Sequence, residues 1–178
     1  MNAPQPPANV EMPPIVPRSV LFGNPQRIHP QLSPDGKYLA YLAPDDRDVL
    51  QVWVRTVGKA DDRLLTSDRK RGIRSFRWTY SRDRLLYSQD SDGDENFHLY
   101  LVDTNTRQVR DITPFPGVQA RFLALEPEFP DEIRVELNLE NRQQFDVYRL
   151  DMETGELDLD TKNLGTVSSW KADKQLNI

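Results

Sequence analysis

The sequence predicts an all-β chain, a partial β-propeller of about three four-stranded antiparallel blades plus the start of a fourth. Three observations carry that reading. The run Leu32-Ser33-Pro34-Asp35-Gly36-Lys37-Tyr38-Leu39-Ala40-Tyr41 returns 46 positions later as Trp78-Thr79-Tyr80-Ser81-Arg82-Asp83-Arg84-Leu85-Leu86-Tyr87. Trp170 stands 92 positions after Trp78, which is two such periods. Gln51-Val52-Trp53-Val54 returns as His98-Leu99-Tyr100-Leu101 and as Asp146-Val147-Tyr148-Arg149, at spacings of 47 and 48 residues. A period of about 40–50 residues made of short strands and turns is the signature of a propeller blade.

The elements follow in order. Nine of the fourteen prolines precede Asp35, so residues 1–17 read as an extended proline-rich arm, unable to hold a helix or enter a sheet centre. Ser19-Val20-Leu21-Phe22-Gly23 is the first apolar cluster, where order is expected to begin. Residues 18–178 then form the incomplete propeller, with blades at about 27–67, 72–114 and 117–161 and a partial blade at 165–178. The first blade takes strands at Ile28–Leu32, Tyr38–Ala43, Gln51–Val57 and Arg63–Thr66. The second takes Ile73–Trp78, Arg84–Gln89, Phe97–Asp103 and Gln108–Ile112, and the third Val118–Ala124, Glu132–Asn138, Phe145–Leu150 and Glu156–Leu159. Val167–Trp170 and Gln175–Ile178 are expected to open the fourth.

Turn chemistry supports these cuts. Ser33-Pro34-Asp35-Gly36 has proline at the second turn position and glycine at the last, as a type I turn favours. Asp103-Thr104-Asn105-Thr106 and Asp151-Met152-Glu153-Thr154-Gly155 occupy one point of successive repeats, where an aspartate can cap the turn. Val52-Trp53-Val54 and Leu99-Tyr100-Leu101 are apolar on both faces, as a sheet packed between two others requires. In an up-and-down blade the turns joining strands one to two and three to four share one rim. The loops joining strands two and three share the other rim with the links between blades.

Composition narrows the function. A net charge of −5 argues against a nucleic-acid partner, whose phosphates demand basic excess. The absence of cysteine excludes disulfides, thiolate metal sites and a cysteine nucleophile. No apolar run approaches the ~18 residues needed to span a bilayer as a helix. The opening Met1-Asn2-Ala3-Pro4-Gln5-Pro6-Pro7 lacks a signal peptide's basic start and apolar core, so a cytoplasmic location is the expectation.

Several runs resemble the N-terminal region of serine peptidases of the prolyl oligopeptidase family (S9), of the acylaminoacyl and dipeptidyl peptidase-like kind. They are Arg18-Ser19-Val20-Leu21-Phe22-Gly23-Asn24-Pro25, then Pro30 through Tyr41, then Arg71-Gly72-Ile73, Trp78 and Asp92-Gly93-Asp94-Glu95-Asn96-Phe97-His98-Leu99-Tyr100. The resemblance covers about residues 17–178. It implies a propeller that caps an α/β-hydrolase domain and limits the access of large substrates, with a hydrolase domain or a peptide substrate as partner. The chain departs from that family in holding no Gly-x-Ser-x-Gly nucleophile elbow. The expectation is therefore a non-catalytic gating portion, with no catalytic residue, cofactor or metal of its own. The alternative is a protein-interaction scaffold like the Tol-system propeller.

Four sets of residues bear on chemistry. Asp90-Ser91-Asp92-Gly93-Asp94-Glu95-Asn96 begins like a calcium loop, but its sixth position is Glu95 where glycine is needed and its twelfth is Leu101 where glutamate is needed. It remains either a solvated hairpin or a rim loop in which Asp92, Asp94, Glu95 and Asn96 contact a substrate amine or a partner domain. His29 and His98 stand in different repeats with no adjacent nucleophile set, and read as strand residues. Arg69-Lys70-Arg71 with Arg74 is either a contact to an acidic surface or a solvated link between blades. Trp53, Trp78 and Trp170, spaced by the repeat, read as inter-blade packing. An open arc of blades leaves flanks without neighbours, so apolar surface around Trp170 and Leu176 is expected to be exposed and to drive self-association.

Overall fold

Three four-stranded antiparallel sheets follow one another along the chain, each strand pairing with its sequence neighbour. The computed structural model describes residues 14–178; the proline-rich arm lies for the most part outside the described residues. A five-residue helix, α1 (Arg18–Phe22), precedes the sheets and buries none of its side chains. The first sheet holds β1 (Ile28–Leu32), β2 (Tyr38–Pro44), β3 (Leu50–Thr56) and β4 (Arg63–Leu64). The second holds β5 (Phe76–Trp78), β6 (Arg84–Gln89), β7 (His98–Asp103) and β8 (Val109–Asp111). The third holds β9 (Ala120–Leu125), β10 (Glu132–Leu137), β11 (Asp146–Asp151) and β12 (Leu157–Thr161).

Strands β4 and β8 stop short of their expected ends, Thr66 and Ile112, and β12 runs past Leu159 to Thr161; threonine side chains join the ladder where β4 and β8 end. Thr66 Oγ1 accepts the Val52 N–H at 2.9 Å, and Thr113 Oγ1 accepts the Leu99 N–H at the same distance. In the third sheet the exchange is reversed, and the Asp146 carboxylate accepts the Asn163 N–H at 2.6 Å. The capped turns form as their residues predict. Asp103 Oδ1 accepts the N–H groups of Asn105 and Thr106, and Asp151 Oδ1 those of Glu153 and Thr154, all within 2.9 Å. In the Ser-Pro-Asp-Gly turn the Gly36 N–H reaches Ser33 O at 2.8 Å, with Gly36 at φ +71° where a side chain would be strained. A hydrogen bond from Lys37, then one from Ser33, holds the Asp35 carboxyl well below the ordinary carboxylate range.

Alternation along the strands divides the core in two. One cluster joins the first and second sheets through Ala40, Leu42, Val52, Val54, Ile73, Leu85, Tyr87 and Val102. The other joins the second and third through Leu86, Leu99, Leu101, Ile133, Val135, Leu137 and Leu150. Adjacent residues of β6 thus point opposite ways, Leu85 and Tyr87 to the first sheet and Leu86 to the third, as a period of two dictates. The sheets are also tied by polar contacts. The innermost strands β1 and β5 exchange two hydrogen bonds, Gln31 Nε2 to Phe76 O and Trp78 Nε1 to Gln31 O, both 3.0 Å. At the rim, Arg63 Nε donates to Thr104 O in the next sheet's turn, and Arg110 repeats the gesture toward Glu153 O at 2.8 Å.

Residues 162–178 continue past the third sheet without regular strand. The segments expected to open a fourth blade are therefore not strands, since neither has a hydrogen-bonded strand beside it among the described residues. Local contacts organise them instead. The Trp170 indole N–H donates to Phe145 O at 3.0 Å, and Asp173 Oδ1 accepts the N–H groups of Gln175 and Asn177. The expectation of exposed Leu176 is corrected, because this turn folds it inward to 1% exposure, while Trp170 is half-buried.

Because β6 serves two interfaces, Leu85→Ala and Leu86→Ala are each predicted to lower unfolding stability by about 3 kcal/mol, through lost burial and a residual cavity. Val109→Ala on β8, 47% exposed, is predicted to cost less than about 0.5 kcal/mol. Urea unfolding followed by tryptophan fluorescence measures all three; equal effects would refute the division of the core.

Candidate functional site

The rim holding the loops between second and third strands carries the densest polar chemistry. Its centre is the loop from Asp90 to Asn96 that joins β6 to β7. The loop is tight, with Asp92, Gly93 and Glu95 all at positive φ. Asp94 organises it. Its Oδ1 accepts the Ser91 and Asn96 N–H groups at 3.2 and 3.1 Å, and its Oδ2 accepts the Asn96 side-chain amide at 3.2 Å. Burial opposes charge on Asp94, but the Asn96 and Ser91 hydrogen bonds outweigh it and hold the carboxyl below its ordinary value.

The basic run of the link between the first two sheets closes onto this loop. Lys70 Nζ lies 2.9 Å from Asp92 Oδ1, and Arg71 Nη1 lies 3.6 Å from Asp90 Oδ2 and 3.9 Å from Glu95 Oε1. The acidic surface that Arg69-Lys70-Arg71 could contact is thus in part the chain's own. The four named loop residues are brought together but have different surroundings. Asp92 faces Lys70, Asp94 and Asn96 bond each other, and Glu95 keeps a side chain 75% exposed. The Glu95 carbonyl accepts the Gln119 side-chain amide at 3.1 Å, which joins the loop to the head of the third sheet.

The two histidines stand far apart in role. His98 Nδ1 lies 2.7 Å from Asp111 Oδ2 across the β7–β8 pair, and the Thr113 N–H donates to Asp111 Oδ1 at 2.9 Å. Among the described residues no hydroxyl hydrogen-bonds the His98 ring. His29 lies at an irregularity in the β1–β2 pairing, at φ +52°. Of the tryptophans, Trp78 packs between sheets as its spacing implies, stacked 6.3 Å from Tyr38, while Trp53 donates within its own sheet to Ala43 O.

Beside the loop, between the second and third sheets, lies a cleft of about 410 Å³. Phe76 and Leu86 form its apolar floor, and Arg77 of β5 and Arg121 of β9 stand in its walls. Sequence reading missed these arginines, which belong to no basic run and carry no motif. Their one signal is that each sits on an innermost strand between apolar neighbours, at Phe76-Arg77-Trp78 and Ala120-Arg121-Phe122.

No protein-family model matches the chain. It is 42% identical over 165 residues to dipeptidyl aminopeptidase BIII of Pseudoxanthomonas mexicana, covering 92% of this chain and 24% of that protein. It is 31% identical over 173 residues to dipeptidyl peptidase family member 6 of Caenorhabditis elegans, covering 92% of this chain and 23% of that protein. Solved structures define the class of fold. The β-propeller domain of the trilobed protease of Pyrococcus furiosus matches with a TM-score of 0.54 at 19% identity, over 75% of this chain and 43% of that one. Acylaminoacyl peptidase of Pyrococcus horikoshii matches at 0.53 and 17%, over 77% and 25%, and TolB of Acinetobacter baumannii at 0.54 and 19%, over 76% and 32%. The three sheets are propeller blades. In sequence the chain is similar to dipeptidyl peptidases, and in fold to the propeller of an acylaminoacyl peptidase, as a propeller segment like those of the prolyl oligopeptidase family (S9). It spans about a quarter of the length of the curated relatives it matches.

Because the folded-state pKa of Asp94 is lowered, its contribution to stability is present above the unfolded value and lost as pH falls through the folded one. Asp94→Asn is predicted to lower the thermal midpoint by about 2 °C at pH 7. That gap should shrink as pH falls below the ordinary carboxylate range. A gap that stays constant with pH, measured by circular dichroism, would contradict the assignment.

Proposed function

We propose that the chain is the non-catalytic, substrate-gating propeller portion of a prolyl oligopeptidase-like serine peptidase, acting beside a hydrolase domain. The observation that carries this reading is the 42% identity to a dipeptidyl aminopeptidase, sustained over 92% of the chain yet matching only 24% of that enzyme. The sequence departs from that family's pattern in holding no Gly-x-Ser-x-Gly nucleophile elbow. What the rim offers is recognition. Glu95 presents an exposed carboxylate suited to a peptide amine, on a loop whose shape Asp94 fixes from within. The partners on this reading are the hydrolase domain and a peptide substrate. A scaffold role like that of the Tol propeller has fold likeness alone behind it.

The purified chain is predicted not to cleave dipeptidyl or N-acylated chromogenic substrates. In a peptidase that contains this propeller, Glu95→Gln is predicted to raise KM for a dipeptide substrate about tenfold with little change in kcat, as loss of uniform binding requires. Turnover by the purified chain itself, or an unchanged KM in the variant, would overturn the proposal.

A further inference from the structure

The cleft between the second and third blades holds positive charge that the chain does not neutralise. Arg77 stands over the Phe122 ring with its guanidinium carbon 3.5 Å from the centroid. That contact occupies a face of the guanidinium and leaves its in-plane N–H donors unused. Among the described residues, Arg77 makes no hydrogen bond and no ion pair through its side chain. It is reached by solvent, yet enough protein surrounds it that desolvation pulls its pKa below the ordinary arginine value. Arg121 also lines the cleft and spends one N–H on Gln119 Oε1 at 3.0 Å, while its guanidinium stacks 3.6 Å from the Phe145 centroid, on the side of the adjoining cleft that Phe145 and Glu136 line. Glu136 is its ladder neighbour and attracts it without closing an ion pair; burial pushes the Glu136 carboxyl up against that attraction. Among the described residues seven of the seventeen arginines pair with carboxylates; Arg77 and Arg121 do not, and both are exposed and line this one cleft.

We propose that this cleft binds a peptide carboxylate, held by the N–H edges of Arg77 and Arg121 above an apolar floor. The chemistry fits in three respects. A planar guanidinium fixed by stacking presents paired donors in the geometry a carboxylate accepts. Phe76, Leu86 and Phe97 supply apolar lining beside it, suited to the hydrocarbon part of the residue bearing the carboxylate. The volume, about 410 Å³, lies in the range of small-ligand pockets. The carboxylate can come from a chain terminus or from an acidic side chain, and the same donors serve both. The inference is independent of the gating role, since it rests on charge and geometry within this chain.

The test uses three probes on the whole chain by titration calorimetry and NMR: N-acetyl-Ala-Phe with a free carboxylate, its C-terminal amide, and N-acetyl-Asp-Phe-amide. At least one carboxylate probe is expected to bind ten times tighter than the neutral amide, and the one that does identifies the source. Arg77→Gln is expected to reduce that probe to the amide's level, with the far-ultraviolet dichroism unchanged. In the wild-type protein the Arg77 Nε–H resonance is expected to move with the carboxylate probe and not with the amide, a reading that holds even if the variant fails to fold. Equal binding of charged and neutral probes, or a preference that survives in a folded Arg77→Gln protein, overturns the proposal. Gating activity can persist in either case, so the two readings fail separately.

Discussion

The middle sheet has two apolar faces and can cover neither by itself. This constraint governs the rest of the molecule. A lone four-stranded sheet with Leu85 and Tyr87 on one side and Leu86, Leu99 and Leu101 on the other has no soluble arrangement until sheets stack against both. The second blade meets the requirement fully, and the first and third meet it on one side through contacts with the second. Stability in such an array is a sum over neighbour interfaces, so the middle blade carries a share out of proportion to its length. Polar contacts then set the spacing that burial alone leaves loose. The Gln31–Trp78 exchange holds the innermost strands together, and Arg63 and Arg110 hold the turns at the rim.

The same stacking creates the recognition surfaces. Blades that splay from close inner strands leave wedge-shaped gaps between them, and the gap between the second and third becomes the cleft of Arg77 and Arg121. The link between blades must pass the loop joining strands two and three, since both occupy one rim. That passage sets Lys70 and Arg71 against Asp92, Asp90 and Glu95. Acidic and basic groups along this rim are therefore partly spent on each other. Glu95 stays largely exposed beside Arg71, and Gln119 joins the Glu95 carbonyl to the Arg121 guanidinium of the third blade.

Much of the architecture was legible because blade packing imposes a period on aromatic and aliphatic residues, and a period survives sequence variation. Trp53, Tyr100 and Tyr148 mark the third strand of each sheet by their spacing alone. The capped turns at Asp103 and Asp151 were equally plain, since an aspartate two or three residues before free N–H groups has a local use. Strand ends were less visible. Thr66 and Thr113 replace a backbone carbonyl with a hydroxyl, and a threonine at a strand end gives no sign of which role it plays. Leu176 was misjudged because its burial depends on the Asp173 turn, whose effect on direction is three-dimensional. The Arg63 and Arg110 clasps carry a signal that could have been found, a spacing of 47 matching the repeat. The pairing of the basic run with the acidic loop lies between segments about twenty residues apart, where sequence shows complementary charge but not contact. Arg77 was invisible for a related reason: what defines it is the lack of a partner, which only the packed blades reveal.

Native-state hydrogen exchange tests the central claim most directly, because it reads the protection of each strand separately. If burial on both faces governs the molecule, amides of β6 and β7, around Leu85–Tyr87 and Leu99–Val102, exchange slowest and open only with the whole array. Amides of the outer strands β4, β8 and β12 exchange fastest. Protection that is equal across the three sheets, or weaker in the second than in its neighbours, would contradict the account.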